Sequence, residues 1–275
     1  MDFFSTGRSF ELTLDGLCVG PQACKGMRFD GQQSRYSVKL GFKHRDVMAD
    51  LWAKIPDGWQ NRLRPTARYL DMLFIDHGFI RAIYLNLHPV TDSRKMWRSA
   101  QPSPRRVKQL ARRGIKTVIN LRGARDCGSY HLEEAACREH GIAIVNFPVS
   151  SRDTPKVEWL TGLRGIFKEI EYPAVLHCKS GADRAGLVAT LYAFVHEERP
   201  LDEAMGQLSL RYGHVKQAKT GLIDWFFEGY QKRNAESPIE FYDWVENEYD
   251  RKAMKEEFMA KGWATLLVDS ILRRE

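Results

Sequence analysis

The chain has 275 residues, 43% of them hydrophobic, enough for a substantial buried core and too apolar for wholesale disorder. Its formal net charge of +7 and pI of about 9.1 favour phosphates, nucleic acids or acidic surfaces as partners, or simply reflect surplus surface Lys and Arg. Five scattered cysteines argue against a disulfide framework, and no run reaches the roughly 18 apolar residues of a membrane span. Met1-Asp2-Phe3-Phe4 lacks the basic-then-apolar pattern of a secretory leader, so a cytoplasmic protein with reduced thiols is expected.

In chain order, residues 1–45 are weakly patterned and punctuated by glycine, with Met27 and Met48 as alternative starts. Val47, Leu51, Trp52 and Ile55 fall at helical spacing within 46–64, and Tyr69–Leu87 reads as a second, largely buried helix. From about residue 95 strands and helices alternate. Met96–Ser99 reads as a strand, and Ser103 is placed to cap a helix that Pro104 opens and Gly114 ends. Lys116–Leu121 is a β-branched strand, followed by a loop over 122–129 and a helix ending near Gly141. Ile142–Phe147 is a strand, 148–155 a loop, 156–170 a helix, 173–177 an apolar strand and 184–197 another helix.

This rhythm predicts an α/β fold: three layers, with a mostly parallel four- to five-stranded sheet, helices on both faces and helical extensions at both ends. Ligands in such sheets bind beyond the carboxyl ends of the strands, where loops 122–129, 148–155 and 178–184 converge. The expected division is an N-terminal extension over 1–93, a catalytic domain over 94–235 and a C-terminal helical extension over 236–275. The tail aromatics Trp225, Phe226, Phe227, Phe241, Tyr242, Trp244, Tyr249 and Trp263 are read as packing.

The chemistry concentrates in His177-Cys178-Lys179-Ser180-Gly181-Ala182-Asp183-Arg184, between the last strand and its helix. A tight loop through Gly181 turns backbone N–H groups inward as an anion nest, and the next helix adds its positive end. Arg184 can grip two phosphate oxygens in a planar fork. The same field favours the Cys178 thiolate, and cysteines in such settings have pKa values of roughly 3.5–7.5.

His177 to Gly186 resembles the signature of the protein tyrosine phosphatase superfamily, HCxxGxxR followed by a small residue and Gly. Arg98-Ser99-Ala100-Gln101-Pro102 and the turn Asn120-Leu121-Arg122-Gly123 resemble features of its compact atypical dual-specificity members. These include bacterial proteins and the inositol pyrophosphate phosphatases of fungi and plants, and the resemblance covers about residues 94–232. It implies that Cys178 forms a phosphocysteine, that residues 179–184 with Arg184 bind phosphate, that an Asp on a neighbouring loop is the general acid, and that no metal or other cofactor takes part. The sequence departs from the pattern at Ala185, where the family usually has Ser or Thr to help the thiolate leave.

Asp153 is the first candidate for the acid: it follows a strand, lies 25 positions before Cys178, and has the helix-start acid as its other reading. Asp126 is the second candidate, and Asp183 is expected to brace the loop. Arg122, Arg152, His177 and Lys216 are possible pocket residues, and Cys127 could pair with Cys178 on oxidation. The expected function is hydrolysis of a phosphorylated protein or an inositol phosphate, with no nucleic-acid module. The alternative is a catalytically weak phosphate-binding regulatory module, associated with membranes through Lys54, Arg62, Arg64 and Arg68 beside the 69–87 run.

Overall fold

The computed structural model describes residues 56–76 and 84–260. The expectations for Val47–Ile55, Lys54, the early cysteines, the alternative starts and Trp263 lie outside them.

A five-stranded sheet organises the chain. Its strands are β1 (His88–Pro89), β2 (Met96–Ala100), β3 (Thr117–Asn120), β4 (Ala143–Asn146) and β5 (Ala174–Cys178), in the spatial order β1-β2-β5-β3-β4. The short β1 runs antiparallel to β2, and all other pairings are parallel. Alternation along the strands sends side chains to two cores. Val118 and Val175 join Val107, Leu110, Ala136 and Ile142 on one face, beneath α2 (Pro104–Arg112) and α3 (Gly128–Glu139). Ile119 and Leu176 face the larger core, with Leu160 and Phe167 of α4 (Val157–Glu169) and Leu187 and Val188 of α5 (Asp183–Leu191). Burial on both faces is what a parallel sheet requires of its strands.

A π-helical turn, Tyr192–His196, extends α5. The tail continues with α6 (Leu201–Met205), α7 (Leu222–Glu236), α8 (Phe241–Asn247) and a helix, α9, over 251–260. Phe226, Phe227, Phe241 and Trp244 are buried in the larger core and Tyr242 and Tyr249 pack against it, so these six tail aromatics serve as packing. Pro104 opens α2 as expected, but the Ser103 side chain makes no cap hydrogen bond.

The reading of Tyr69–Leu87 as a buried helix is corrected. The helix, α1, runs from Asp57 to Leu70 and continues as a π-helical turn over Asp71–Ile75. Tyr69 and Leu70 are exposed, and residues 84–87 are not helical. There Asn86 takes a φ of 52°, the Leu85 carbonyl accepts the Ala100 N–H, and the Asn86 amide is spent elsewhere. An apolar run cannot by itself distinguish a buried helix from a segment lying along a sheet edge. Among the described residues, no helix is long and apolar enough to cross a membrane.

Candidate active site

Register aligns the carboxyl ends of the central strands. Ala100 pairs with Cys178, and Asn120 pairs with both His177 and Asn146. Cys178 therefore ends the middle strand, with the loops after β2, β3 and β4 around it.

The loop after Cys178 is held from behind. Gly181 has a φ of +76°, and a Cβ there would lie 2.7 Å from the Ala100 nitrogen, so only glycine lets the loop press onto β2. Its N–H donates to Cys178 Sγ at 3.2 Å. The carbonyls of Gly181 and Ala182 accept from Arg98 Nη2 at 2.7 and 3.0 Å, while Arg98 Nη1 donates to the Gln207 carbonyl and Oε1 at 2.6 and 2.9 Å. Turning two carbonyls back onto one guanidinium leaves the opposite side of the loop to N–H groups, which is how an anion nest forms. Arg98 is fully buried beneath the Tyr212 ring, 4.1 Å from its centroid. Burial pulls its pKa down to about 10, against the upward pull of Tyr212 and Cys178, so it remains a cation at neutral pH. The sequence signalled this residue only as a motif member. An arginine within an otherwise buried strand is the sign that could have found it, because such a charge must be paired.

Asn86 braces the same loop, its amide donating to the Ser180 and Tyr212 carbonyls at 3.2 and 2.9 Å. Asp183 opens α5 and accepts from His214 Nδ1 at 2.7 Å, while His214 Nε2 donates to Asp224 at 2.7 Å. Burial opposes the charge on His214, but hydrogen bonds to Asp183 and Asp224 outweigh it and raise the pKa to about 9. Asp183 is thus tied to Asp224 through His214. Arg184 is half-buried, with Nη1 3.4 Å from the Leu121 carbonyl. Ala185 is fully buried.

Two expected pocket residues instead lie beneath the loop. His177 is fully buried, its Nε2 2.8 Å from Glu133 Oε1 and its Nδ1 3.2 Å from the Cys178 carbonyl. Arg122 is buried in a bidentate pair with Asp76 at 2.7 and 3.0 Å and also donates to Gln101 Oε1. Gln101 in turn donates to Glu133 at 2.7 Å. Asp76, Arg122, Gln101, Glu133, His177 and Cys178 therefore form one continuous polar chain. Burial of charged and polar groups is disfavoured without partners, and Asp76, Arg122 Nη1 and Nη2, Gln101 and Glu133 Oε2 find theirs within it. Neither Asp76 nor Glu133 was singled out by sequence, because their partners are remote in the chain.

The candidate acids are placed differently from one another. Asp153 sits after β4 but is drawn to the tail: it pairs with Arg251 and, at 3.0 Å, with Lys255. Partial burial acts upward on its carboxyl, but the Lys255 hydrogen bond and the Arg251 charge hold it below the usual carboxylate range. Neighbouring bonds tie the same loop down: Arg251 Nε to the Thr154 carbonyl at 2.9 Å, Thr154 Oγ1 to the Arg251 carbonyl at 3.0 Å and Tyr249 OH to the Pro155 carbonyl at 2.9 Å. Asp126 is fully exposed, 3.0 Å from His131. Arg152 is exposed, and Lys216 pairs with Glu228 on α7, so neither is fixed toward Cys178. Cys127 and Cys178 are both free thiols. Among the described residues, no group of three or more His, Cys, Asp or Glu is arranged to hold a metal ion.

Residues 86–221 match the family model described as "DSP-PTPase phosphatase fused to NAD+ Kinase". The dual specificity protein phosphatase TpbA of Pseudomonas aeruginosa UCBPP-PA14 is 31% identical over 112 residues, a match covering 40% of this chain and 47% of that protein. By these matches residues 86–221 resemble the protein tyrosine phosphatase superfamily. Within it the likeness is to the atypical dual-specificity members. TpbA of strain PAO1 is 30% identical over the same length, and the chain spans about half the length of these curated relatives. A crystal structure of P. aeruginosa TpbA superposes with a TM-score of 0.44 at 20% identity, covering 63% of this chain and 90% of that one. One of Tk-PTP in the active form gives 0.41 at 21% identity, covering 52% and 97%.

Proposed function

We propose that the chain is a cysteine-dependent phosphatase that hydrolyses phosphate monoesters, of the protein-tyrosine/dual-specificity or inositol phosphate type, through a phosphocysteine. The observation that carries this reading is Cys178 Sγ at the end of β5, accepting the Gly181 N–H inside a loop whose carbonyls are turned onto buried Arg98. The dual-specificity phosphatase relatives support the same class.

In the proposed reaction the phosphate sits among the loop N–H groups and Arg184. The Cys178 thiolate attacks phosphorus, the bond to the leaving oxygen breaks, and Asp153 gives that oxygen a proton. Water then attacks phosphorus, its proton passes to the Asp153 carboxylate, and the S–P bond breaks to return the thiolate. As held by Arg251 and Lys255, Asp153 is already in the form the second step needs. To serve the first step it must leave those partners and take up a proton. Catalytic groups in ligand-free sites often adopt their working contacts only with substrate.

One observation favours a second reading, a catalytically weak phosphate-binding module: Ala185 is buried where a hydroxyl would assist the leaving sulfur. Turnover of an aryl phosphate by the wild type and by Cys178→Ser decides between them. The phosphatase reading expects steady hydrolysis by the wild type and, in the variant, loss of hydrolysis with retained vanadate binding. A wild type that binds vanadate without turnover would favour the module, and a variant that keeps substantial turnover would refute the proposed chemistry.

A further inference from the structure

We propose that Asp76, from the segment preceding the family-matched region, is a specificity-determining residue that makes this site favour singly phosphorylated esters over polyphosphorylated ones. The inference rests on the phosphatase reading above and narrows its substrate class.

Asp76 follows the π-helical turn that ends α1, and its side chain is only 11% exposed. One carboxylate oxygen lies 3.2 Å from Nζ of Lys179, the residue directly after the nucleophile, and 3.0 Å from Arg122 Nη2; the other lies 2.7 Å from Arg122 Nη1. One buried acid thus meets two of the cations that the sequence offers to phosphate.

The segment that delivers it is docked on the catalytic framework. Asp71 accepts the Gly128 N–H at the start of α3, and a Cβ at position 128 would collide with the Arg68 carbonyl, so glycine permits this approach. That docking brings Asp76 against Arg122 and Lys179.

The consequence is electrostatic. A single phosphate in the loop is met by Arg184 and backbone N–H groups, which Asp76 does not touch. A second phosphate on the same substrate would need further cations beside the loop. Lys179, 42% exposed, is placed to serve it but already faces Asp76, and Arg122 is engaged through Nη1 and Nη2. The extra anion must displace Asp76 or lie beside a like charge, and an uncompensated anion near a buried carboxylate is disfavoured. A charge-assisted hydrogen bond carries roughly tenfold or more in binding, which sets the scale of the discrimination.

The test measures kcat/KM of the full chain for a singly phosphorylated aryl ester and for inositol hexakisphosphate. The wild type should favour the former. Asp76→Asn, close in shape and uncharged, should move the ratio toward the hexakisphosphate by roughly tenfold, mainly through KM, and adding Lys179→Gln should reverse the shift. A variant that merely loosened the fold would lower both substrates together. If Asp76→Asn does not fold, Asp76→Ala with Arg122→Met removes the pair without leaving a buried charge, and the same shift is expected. A wild type that favours the hexakisphosphate, or a ratio unchanged in the folded variant, overturns the inference. Absence of wild-type turnover on either ester would instead overturn the phosphatase reading itself.

Discussion

Arg251 and Lys255 hold the proposed acid, so removing their charges should change how the protein treats poor leaving groups. Replace both with methionine, which keeps the aliphatic stems. In the wild type Asp153 makes two charged contacts, but its side chain is 32% exposed, as Arg251 and Lys255 are at 36% and 48%. Water screens such pairs, and exposed pairs contribute about 0.2–1 kcal/mol each. The two together cost about 1 kcal/mol to release, a factor of about five in the population of free Asp153. The double variant should therefore raise kcat for an alkyl phosphate, whose leaving oxygen needs the proton, by about fivefold. It should barely change kcat for p-nitrophenyl phosphate, whose leaving group needs little help. Added salt should move the wild type in the same direction at saturating substrate, because exposed pairs are screened. An unchanged or lower kcat for the alkyl ester would mean that Asp153 is not the acid, or that Arg251 and Lys255 place it productively. Asp126→Asn would then be the next variant.

Ala185→Ser is expected to place a hydroxyl near the departing sulfur, to which the Gly181 N–H donates. A hydrogen bond to a charged group adds about 1.5–3 kcal/mol, so rapid-quench kinetics should show a product burst in the wild type, and in the variant a smaller burst with steady-state turnover about tenfold faster. His214, raised from 6.5 to about 9 in the folded chain, contributes stability that is fully present below about pH 6.5 and lost as pH rises through about 9. That contribution is at most about 3 kcal/mol, so denaturant unfolding of His214→Gln should show a deficit at pH 6 that shrinks toward pH 10; a pH-independent deficit would contradict the bridging imidazolium. Chelation of divalent ions should leave turnover unchanged, since Arg184 and loop amides are assigned the positive field; loss of rate with EDTA, restored by an added ion, would contradict this.

Features written in neighbouring residues were legible in the sequence. The β-branched run Thr117–Asn120 and the apolar Ala174–Cys178 became central strands because their alternation has a buried place to go on both faces. The tight loop after Cys178 was legible because its parts lie within ten residues and each has a local reason, Gly181 above all. What escaped depends on partners remote in sequence. Arg98 reaches Gln207, Asp76 reaches Arg122 and Lys179, and Asp153 reaches Arg251, contacts that no local pattern encodes. The same remoteness placed His177 and Arg122 in the expected pocket: sequence shows a cation near the loop but not the buried carboxylate that turns it inward. The stretch 69–87 was misread for a related reason, since Asn86 is committed to the phosphate loop rather than to a helix.

Cys178 is proposed to carry the phosphoryl group during turnover. Rapid acid quench of the wild type with substrate, followed by peptide mass spectrometry, measures it directly. A phosphate on Cys178 is expected, in an amount that falls in Ala185→Ser and vanishes in Cys178→Ser. Active turnover with no phosphate on Cys178 in either the wild type or Asp153→Asn, where an Asp153-assisted second step would be slowed, would contradict it.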